Sequence, residues 1–429
     1  MKKTLIALAV GAALAPAAHA DVVLTGVINV GPSVHVTSGG TDLGLHGNSV
    51  TAPTGVAGVA QGEPQTGQTW GLSRNYSWLG VGSTEDLGGG LKLDVFLQLQ
   101  MEPEKNGNIT NRNSRVGFTG ESWGGVWWGT NENIYERYLY STDPLDGAMG
   151  IGGNLSIFGS PGYNVVFDAP RGGPDYATCA AGAGGGGCAG FYRRTEHTIW
   201  YDSPNWNGFT FGAAYAMPAF KQQIAGAQGA TLNPNIWSLG VKYQGPTIPV
   251  DVWLAYERHK DYGGMVAIQG ALVGNPTNST DTGINAGVGY TFGDVRVFGM
   301  WEALKYKVDG SDAVTAMSEY KRQAWGVGLK WNLASGYVGA QYLQAQDGKC
   351  TFLNPQLGGC DATDSGAALI GVGYFHNMSK QTQVYGVAAY IKNKDFASYA
   401  PAGGLGVYNG SVSPGQDITS FTVGIKHSF

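Results

Sequence analysis

After residue 20 the chain holds no run near the ~18 consecutive apolar residues that a membrane-spanning helix requires. If the protein lies in a membrane, only a closed β-barrel is left, because helices and closed barrels alone satisfy every backbone N–H and C=O in hydrocarbon. Charge is scarce, at 13% of the 429 residues, and its balance is acidic: 26 Lys and Arg against 31 Asp and Glu. That balance offers no basic patch for nucleic acid. There is no His-Glu-x-x-His pair, no Gly-x-Ser-x-Gly elbow and no phosphate-binding loop, which argues against zinc-protease, serine-hydrolase and nucleotide-hydrolase chemistry. Cysteine is limited to four residues, without metal-ligand spacing. No cofactor and no metal is expected.

What is present is glycine and aromatics: 70 Gly, 22 Tyr and 12 Trp, a composition that suits an extended sheet with aromatic girdles better than helix-rich domains. The first twenty residues differ in kind. Lys2 and Lys3 precede an apolar stretch from Leu5 to Leu14 and the small-x-small site Ala18-His19-Ala20. This is the pattern of a cleaved secretory signal peptide, too short in its apolar part to anchor. Residues 1–20 therefore read as signal peptide and 21–429 as one barrel. The mature chain would begin at Asp21 with 24 basic and 31 acidic residues, a net charge of −7 (24 − 31). Export makes disulfides the expected state of the cysteines, Cys179 with Cys188 and Cys350 with Cys360, each clipping one loop.

Alternation is the strongest internal signal. From Leu91 to Glu102 every odd position is apolar (Leu91, Leu93, Val95, Leu97, Leu99, Met101), and the even ones are Lys92, Asp94, Phe96, Gln98, Gln100 and Glu102. One face is greasy and the other wet. Comparable segments lie near 23–37, 70–82, 91–102, 110–120, 125–131, 193–203, 208–217, 235–244, 249–259, 283–292, 295–306, 320–331, 336–346, 365–375, 381–393 and 417–429. The expected fold is all-β: a 16-stranded antiparallel transmembrane barrel, the even count that bacterial barrels take. Glu85-Asp86-Leu87-Gly88-Gly89-Gly90, Ser203-Pro204-Asn205-Trp206-Asn207-Gly208, Gly293-Asp294 and Asn332-Leu333-Ala334-Ser335-Gly336 have tight-turn chemistry and fit the periplasmic side. Segments 38–69, 132–192, 260–282, 347–364 and 394–416 are long, rich in Gly, Asn, Asp, Ser and Pro, and fit external loops.

Four stretches together resemble the general porins of β-proteobacteria. Ser83-Thr84-Glu85-Asp86-Leu87-Gly88-Gly89-Gly90-Leu91-Lys92 is similar to that family's Gly-Thr-Glu-Asp-Leu-Gly-Gly-Gly-Leu-Lys turn. Asn111-Arg112-Asn113-Ser114-Arg115-Val116-Gly117-Phe118 resembles its Asn-Arg-Gln-Ala-Tyr-Val-Gly-Leu strand. Tyr201-Asp202-Ser203-Pro204-Asn205-Trp206-Asn207-Gly208-Phe209 and the ending Val423-Gly424-Ile425-Lys426-His427-Ser428-Phe429 match two further motifs, so the likeness spans the mature chain. The resemblance implies a homotrimer in the Gram-negative outer membrane, bounded by lipid and lipopolysaccharide. It further implies a water-filled channel for passive diffusion of small hydrophilic solutes and ions, and a third external loop folded into the barrel. In that family acids of the third loop face basic side chains on the wall. Here the loop lies within 131–192, and its acids are Asp143 and Asp146, then Asp168 and Asp175.

Parity supplies the expected wall. With Leu79 and Val81 outward, Arg74, Tyr76 and Trp78 face the lumen; Arg115 does so beside outward Val116 and Phe118. Arg194, Glu196, Thr198, Trp200 and Asp202 follow from outward Ile199 and Tyr201, and Arg322 from outward Trp325, Val327 and Leu329. Arg112 has the wrong parity unless a bulge intervenes. Trp78 and Thr130 stand where relatives often carry Arg, which, with the acidic balance, weighs against the anion preference common among these porins. A second reading is a substrate-specific channel in which Trp78, Trp200 and Trp253 stack sugars or other ring-shaped solutes. Trp123, Trp127, Trp128 and Trp331 are assigned to the lipid-interface girdles.

Overall fold

A computed structural model describes residues 21–40, 67–74, 76–103, 108–145, 151–162, 189–217, 222–223, 231–262, 264–269, 278–310, 317–357, 362–401, 412 and 414–429. Sixteen antiparallel strands close on themselves. They are β1 (Asp21–Gly39), β2 (Gly67–Arg74, continued after a break as Ser77–Gly88), β3 (Leu91–Glu102), β4 (Asn108–Gly120), β5 (Gly124–Glu132), β6 (Arg194–Asp202), β7 (Phe209–Ala216) and β8 (Asn235–Gln244). Then follow β9 (Val250–Lys260), β10 (Thr280–Phe292), β11 (Val295–Lys307), β12 (Met317–Leu333), β13 (Gly336–Ala345), β14 (Ala367–Asn377), β15 (Thr382–Asn393) and β16 (Gln416–Ser428).

Each strand pairs with its chain neighbours, and β1 closes the ring. Val34 pairs with Trp70 of β2 on one side and with Phe421 of β16 on the other. The chain end is tied in by reciprocal backbone bonds between Gly26 and Phe429 (3.0 and 3.1 Å). Closure leaves no edge whose N–H and C=O groups would face hydrocarbon unpaired. Among the described residues no helix is long and apolar enough to cross a membrane.

Alternation becomes two surfaces. Outward positions such as Val241, Leu254, Val288, Val327, Ile370 and Phe421 form the exposed apolar band, while their neighbours turn Ser238, Glu257, Asn285, Glu302 and Arg322 inward. The periplasmic connections are short because their residues tolerate left-handed backbone. Gly89 (φ 63°) and Gly90 (φ 81°) turn β2 into β3, and Gly293 (φ 56°) turns β10 into β11. On the opposite rim the sheet runs further than expected. A short strand, Lys349–Phe352, pairs with the start of β12 (Tyr320 opposite Cys350) inside a segment read as loop.

The long connection from β5 to β6 enters the barrel. Among its described residues it carries helix α1 (Ile134–Tyr140) and a 3-10 turn, Asn154–Ser156. Tyr135, Leu139, Leu155, Ile157 and Phe158 of this loop pack on Trp253, Phe298, Met300 and Leu304 of the wall. The hydrophobic core of the molecule thus lies inside the barrel, between loop and wall. Helix α2 (Gly264–Gln269) adds Met265 and Ile268 to the same cluster.

Of the four cysteines only Cys350 is among the described residues, and it is disulfide-bonded. Cys179, Cys188 and Cys360, and with them both expected pairings, lie outside the described residues, as do residues 1–20, the expected signal peptide, and Asp146, Asp168 and Asp175.

The two surfaces make opposite predictions for one substitution. Val327→Arg, on the lipid face near mid-strand, is expected to cost about 2–4 kcal/mol and to lower the yield of heat-modifiable folded barrel. Arg at the inward, partly exposed Gln383 should leave that yield unchanged on the same gel.

Candidate functional site: the luminal wall and its inward loop

The inward loop is held by one buried ion pair. Arg322 on β12 lies 2.8 Å from Glu302 on β11, both side chains fully buried. Arg322 also donates to the carbonyls of Ile157 (2.9 Å) and Ser160 (2.8 Å from Nε). Glu302 accepts from the Tyr135 hydroxyl (2.6 Å) and from the Gly159 backbone N–H (2.7 Å). A charge pair out of water is tolerable only when its remaining donors and acceptors are satisfied, and here the loop backbone satisfies them. Arg322, expected on the pore, is therefore a loop anchor that no solute meets. Asp143 has a similar role: its two carboxylate oxygens accept the backbone N–H groups of Leu145 and Asn154 (both 2.9 Å).

A second clamp sits at the loop root. Glu132 accepts a hydrogen bond from Arg194 and lies 3.6 Å from Arg112. Arg194 Nε donates to Asn113 (3.0 Å) and Arg112 to Gln100 (3.4 Å). Arg112 arrives inside because β4 carries the bulge that parity requires: Leu97 pairs with Ser114 but Leu99 with Asn111. A bulge in β6 has the opposite result. Gly129 pairs with Thr198 and Asn131 with Thr195, and His197 takes φ 52°, so Glu196, expected in the lumen, is exposed outside.

The wall that stays partly open belongs to β2–β5. Arg115, 36% exposed, donates to Asp94 (2.7 Å), and Trp127 Nε1–H donates to the same oxygen (2.9 Å). Arg115 also lies over the Phe96 ring (5.0 Å), and Phe96 meets Trp78 edge-on (6.4 Å). Trp127 stacks on Trp200 (6.1 Å between centroids, 18° between planes). The assignment of Trp127 to a lipid girdle is thus corrected: it pairs with luminal Gly117 and Trp200, while Trp128 pairs with outward Val116 and Ile199. Two consecutive strand residues cannot both face lipid, a signal already legible in the Trp127-Trp128 dipeptide. Thr130 pairs with Ser114, one step from Arg115 and on the other face, so it leaves no gap in the luminal ladder. Trp200 and Trp253 are 3% and 2% exposed, covered by the loop, so they do not continue an open track with Trp78. Arg74 pairs with Val30 through its backbone, and its side chain lies outside the described positions.

Toward the short-turn rim the lumen becomes basic. Lys92, Arg115, Lys242, Arg296, Lys330 and Lys426 have inward parity there, and Arg137 of α1 joins them; the facing acids are Asp86, Asp94, Asp202 and Asp251. Arg137 grips Asp202 with both terminal nitrogens (2.9 and 3.0 Å), and Arg296 meets Asp251 (2.7 Å). Lys426 donates to the Tyr76 hydroxyl (2.8 Å), and Lys330 lies 4.0 Å from the Tyr337 ring centre. Sequence reading missed Arg137, Lys242, Arg296, Lys330 and Lys426, although strand parity carries the last four.

A closed sixteen-strand barrel with a charged lumen and an inward third loop is the architecture of a diffusion channel, and comparison with known proteins agrees. The family model described as Gram-negative porin matches residues 7–395. The chain belongs to this family. The porin is 31% identical to outer membrane porin protein 32 of Delftia acidovorans, over the whole length of both chains. It superposes on the anion-selective porin from Comamonas acidovorans with a TM-score of 0.67 at 26% identity, covering 96% of this chain and 100% of that one. OmpT of Vibrio cholerae in its trimer form shares the fold (TM-score 0.55, 12% identity, 96% and 99% covered). The protein is an outer-membrane channel for passive diffusion of small hydrophilic solutes, not an enzyme.

Removing one side of the anchor isolates the other. Arg322→Met leaves Glu302 buried without its partner and is expected to cost about 3–5 kcal/mol of loop docking. Single-channel recordings should then show a larger and noisier conductance, with the barrel still heat-modifiable. Unchanged conductance would sink the anchor role.

Glu136 of α1 supplies a pH dependence. Burial first, and the neighbouring Glu132 carboxylate second, push its carboxyl up to about 7; Tyr140 donates to it (3.0 Å). A carboxyl raised in the folded state favours the docked loop while neutral. That contribution is full below its ordinary value near 4.5 and is lost as pH rises through about 7. The reversal potential in a salt gradient should move toward cations between about pH 6 and about pH 8 as the charge forms, and Glu136→Gln should flatten that response.

Proposed function

We propose that the pore favours small anions over cations, and that Arg115 and Arg137, with Lys242, Arg296, Lys330 and Lys426, are the groups that set this preference. The observation that carries the reading is the luminal balance on the periplasmic side: seven cations (Lys92, Arg115, Arg137, Lys242, Arg296, Lys330, Lys426) against four acids (Asp86, Asp94, Asp202, Asp251). A charged ring between low-dielectric walls focuses its field into the pore and sets ion preference. The Comamonas acidovorans porin, described as anion-selective, supports the same reading. It replaces the doubt raised by net charge, because most of the 31 acids stand elsewhere than on this rim.

The assembled protein is proposed as a homotrimer embedded in outer-membrane lipid and lipopolysaccharide. The signal segment 1–20 is cleaved before Asp21, and disulfides join Cys179 with Cys188 and Cys350 with Cys360. Export to an oxidising compartment supports the pairing; the shared fold with OmpT, solved in a trimer form, accords with the assembly.

One planar-bilayer experiment tests selectivity and assembly together. In a KCl gradient the reversal potential should have the sign of anion current, and insertions should close in three equal steps. Lys242→Glu with Lys330→Glu, which changes the luminal balance from 7 against 4 to 5 against 6, should bring the reversal potential to zero or past it. A cation-selective wild-type channel would overturn the proposal.

A further inference from the structure

We infer that the open wall of β2–β5 is a binding platform for neutral ring-shaped polyols, a sugar subsite inside the pore. The inference rests on the porin reading and adds a solute class to it. Its basis is how the aromatic rings lie. Phe96 covers Gly80 and Gly82, and Trp127 covers Gly117 and Gly125: a Cβ on Gly80 would stand 2.7 Å from the Phe96 ring, and one on Gly117 or Gly125 would stand 2.5 or 2.2 Å from Trp127. All four glycines have luminal parity on adjoining strands. Rings seated against glycine backbone take the room a side chain would fill; Arg115 lies over Phe96 and Trp200 flanks Trp127, yet Trp78, Phe96 and Trp127 each stay partly exposed.

Trp253 is the internal contrast. It lies as close to Gly287 (1.7 Å from an added Cβ), yet it packs under the inward loop and is 2% exposed. Contact with glycine alone is therefore not a platform. On β2–β5 the rings stay partly exposed, although Trp127 borders the cluster of Ile134 and Trp200, and the Arg115–Asp94 pair stands among them.

That combination selects the ligand class. An aromatic face attracts the apolar C–H side of a pyranose ring, as it does other apolar surfaces. The ion pair offers guanidinium donors beside carboxylate acceptors, matching the acceptor and donor functions of vicinal hydroxyls. Because Asp94 already balances the Arg115 charge, the platform suits an uncharged solute better than an aromatic carboxylate.

The test uses the full-length protein in planar bilayers with maltose as probe. Maltose should lower the open-channel current saturably, with half-saturation in the millimolar range; mannitol, an open-chain polyol, should give only a linear decrease with viscosity. Loss of one stacking face should raise the half-saturation about three- to tenfold. Trp127→Ala and, independently, Trp78→Ala should do so, whereas Trp331→Ala, on the lipid face, should not. A conducting channel whose current shows no saturable maltose effect overturns the platform while leaving the porin reading intact. Block by benzoate but not by maltose overturns the ligand class. Absence of any conductance from folded, inserted protein would instead remove the porin reading itself.

Discussion

The whole architecture depends on the cost of an unpaired peptide group in hydrocarbon. Each N–H or C=O left without a partner there costs several kcal/mol, and a chain with no long apolar helix can avoid that only by closing its sheet. Closure between β1 and β16 therefore decides the rest. Once the sheet is a ring, every strand has one face in lipid and one in a lumen, and period-2 alternation becomes a division between solvents. Val288 and Val327 are half exposed without being an aggregation hazard, because lipid is their solvent.

A ring of sixteen strands encloses more space than side chains can fill, and the third loop answers that geometry. The loop is a polar-backboned segment led through a wet cavity, so its carbonyls and N–H groups need partners on the wall. Arg322, Glu302, Ser238 and Asn285 provide them: Ser238 Oγ accepts from the Tyr135 N–H (3.1 Å), and Asn285 donates to the Tyr135 carbonyl (3.2 Å). Buried charge that would be costly in an apolar core thus serves as an attachment device. The pore is left to the opposite wall, where Arg115 and Asp94 stay partly exposed.

Legibility in the sequence followed the periodicity. All sixteen strands could be read because each carries its own alternation, and the terminal Phe429 marked the closing strand. Two things escaped. Bulges reset parity without any change in composition, which is why Glu196 came out on the wrong side and Arg112 could only be placed conditionally. Burial by the loop is non-local: nothing around Arg322 in sequence separates it from Lys330, eight residues on, yet the first is sealed under Ser160 and the second stays partly exposed. Trp127 was a different kind of miss, since strict alternation beside Trp128 already required it to face inward.

Net charge is a poor guide to a pore for a physical reason. The net charge of −5 sums every side chain of the sequence, but an ion in the pore feels charges weighted by distance and by the dielectric between. An acid on an external loop is screened by dissolved ions within about 8 Å at physiological salt, while Lys242 or Arg296 acts across the lumen itself. Acids that face the pore are largely spent in pairs with Arg115, Arg137 and Arg296. The relevant quantity is the luminal residue set, which parity supplies and composition does not.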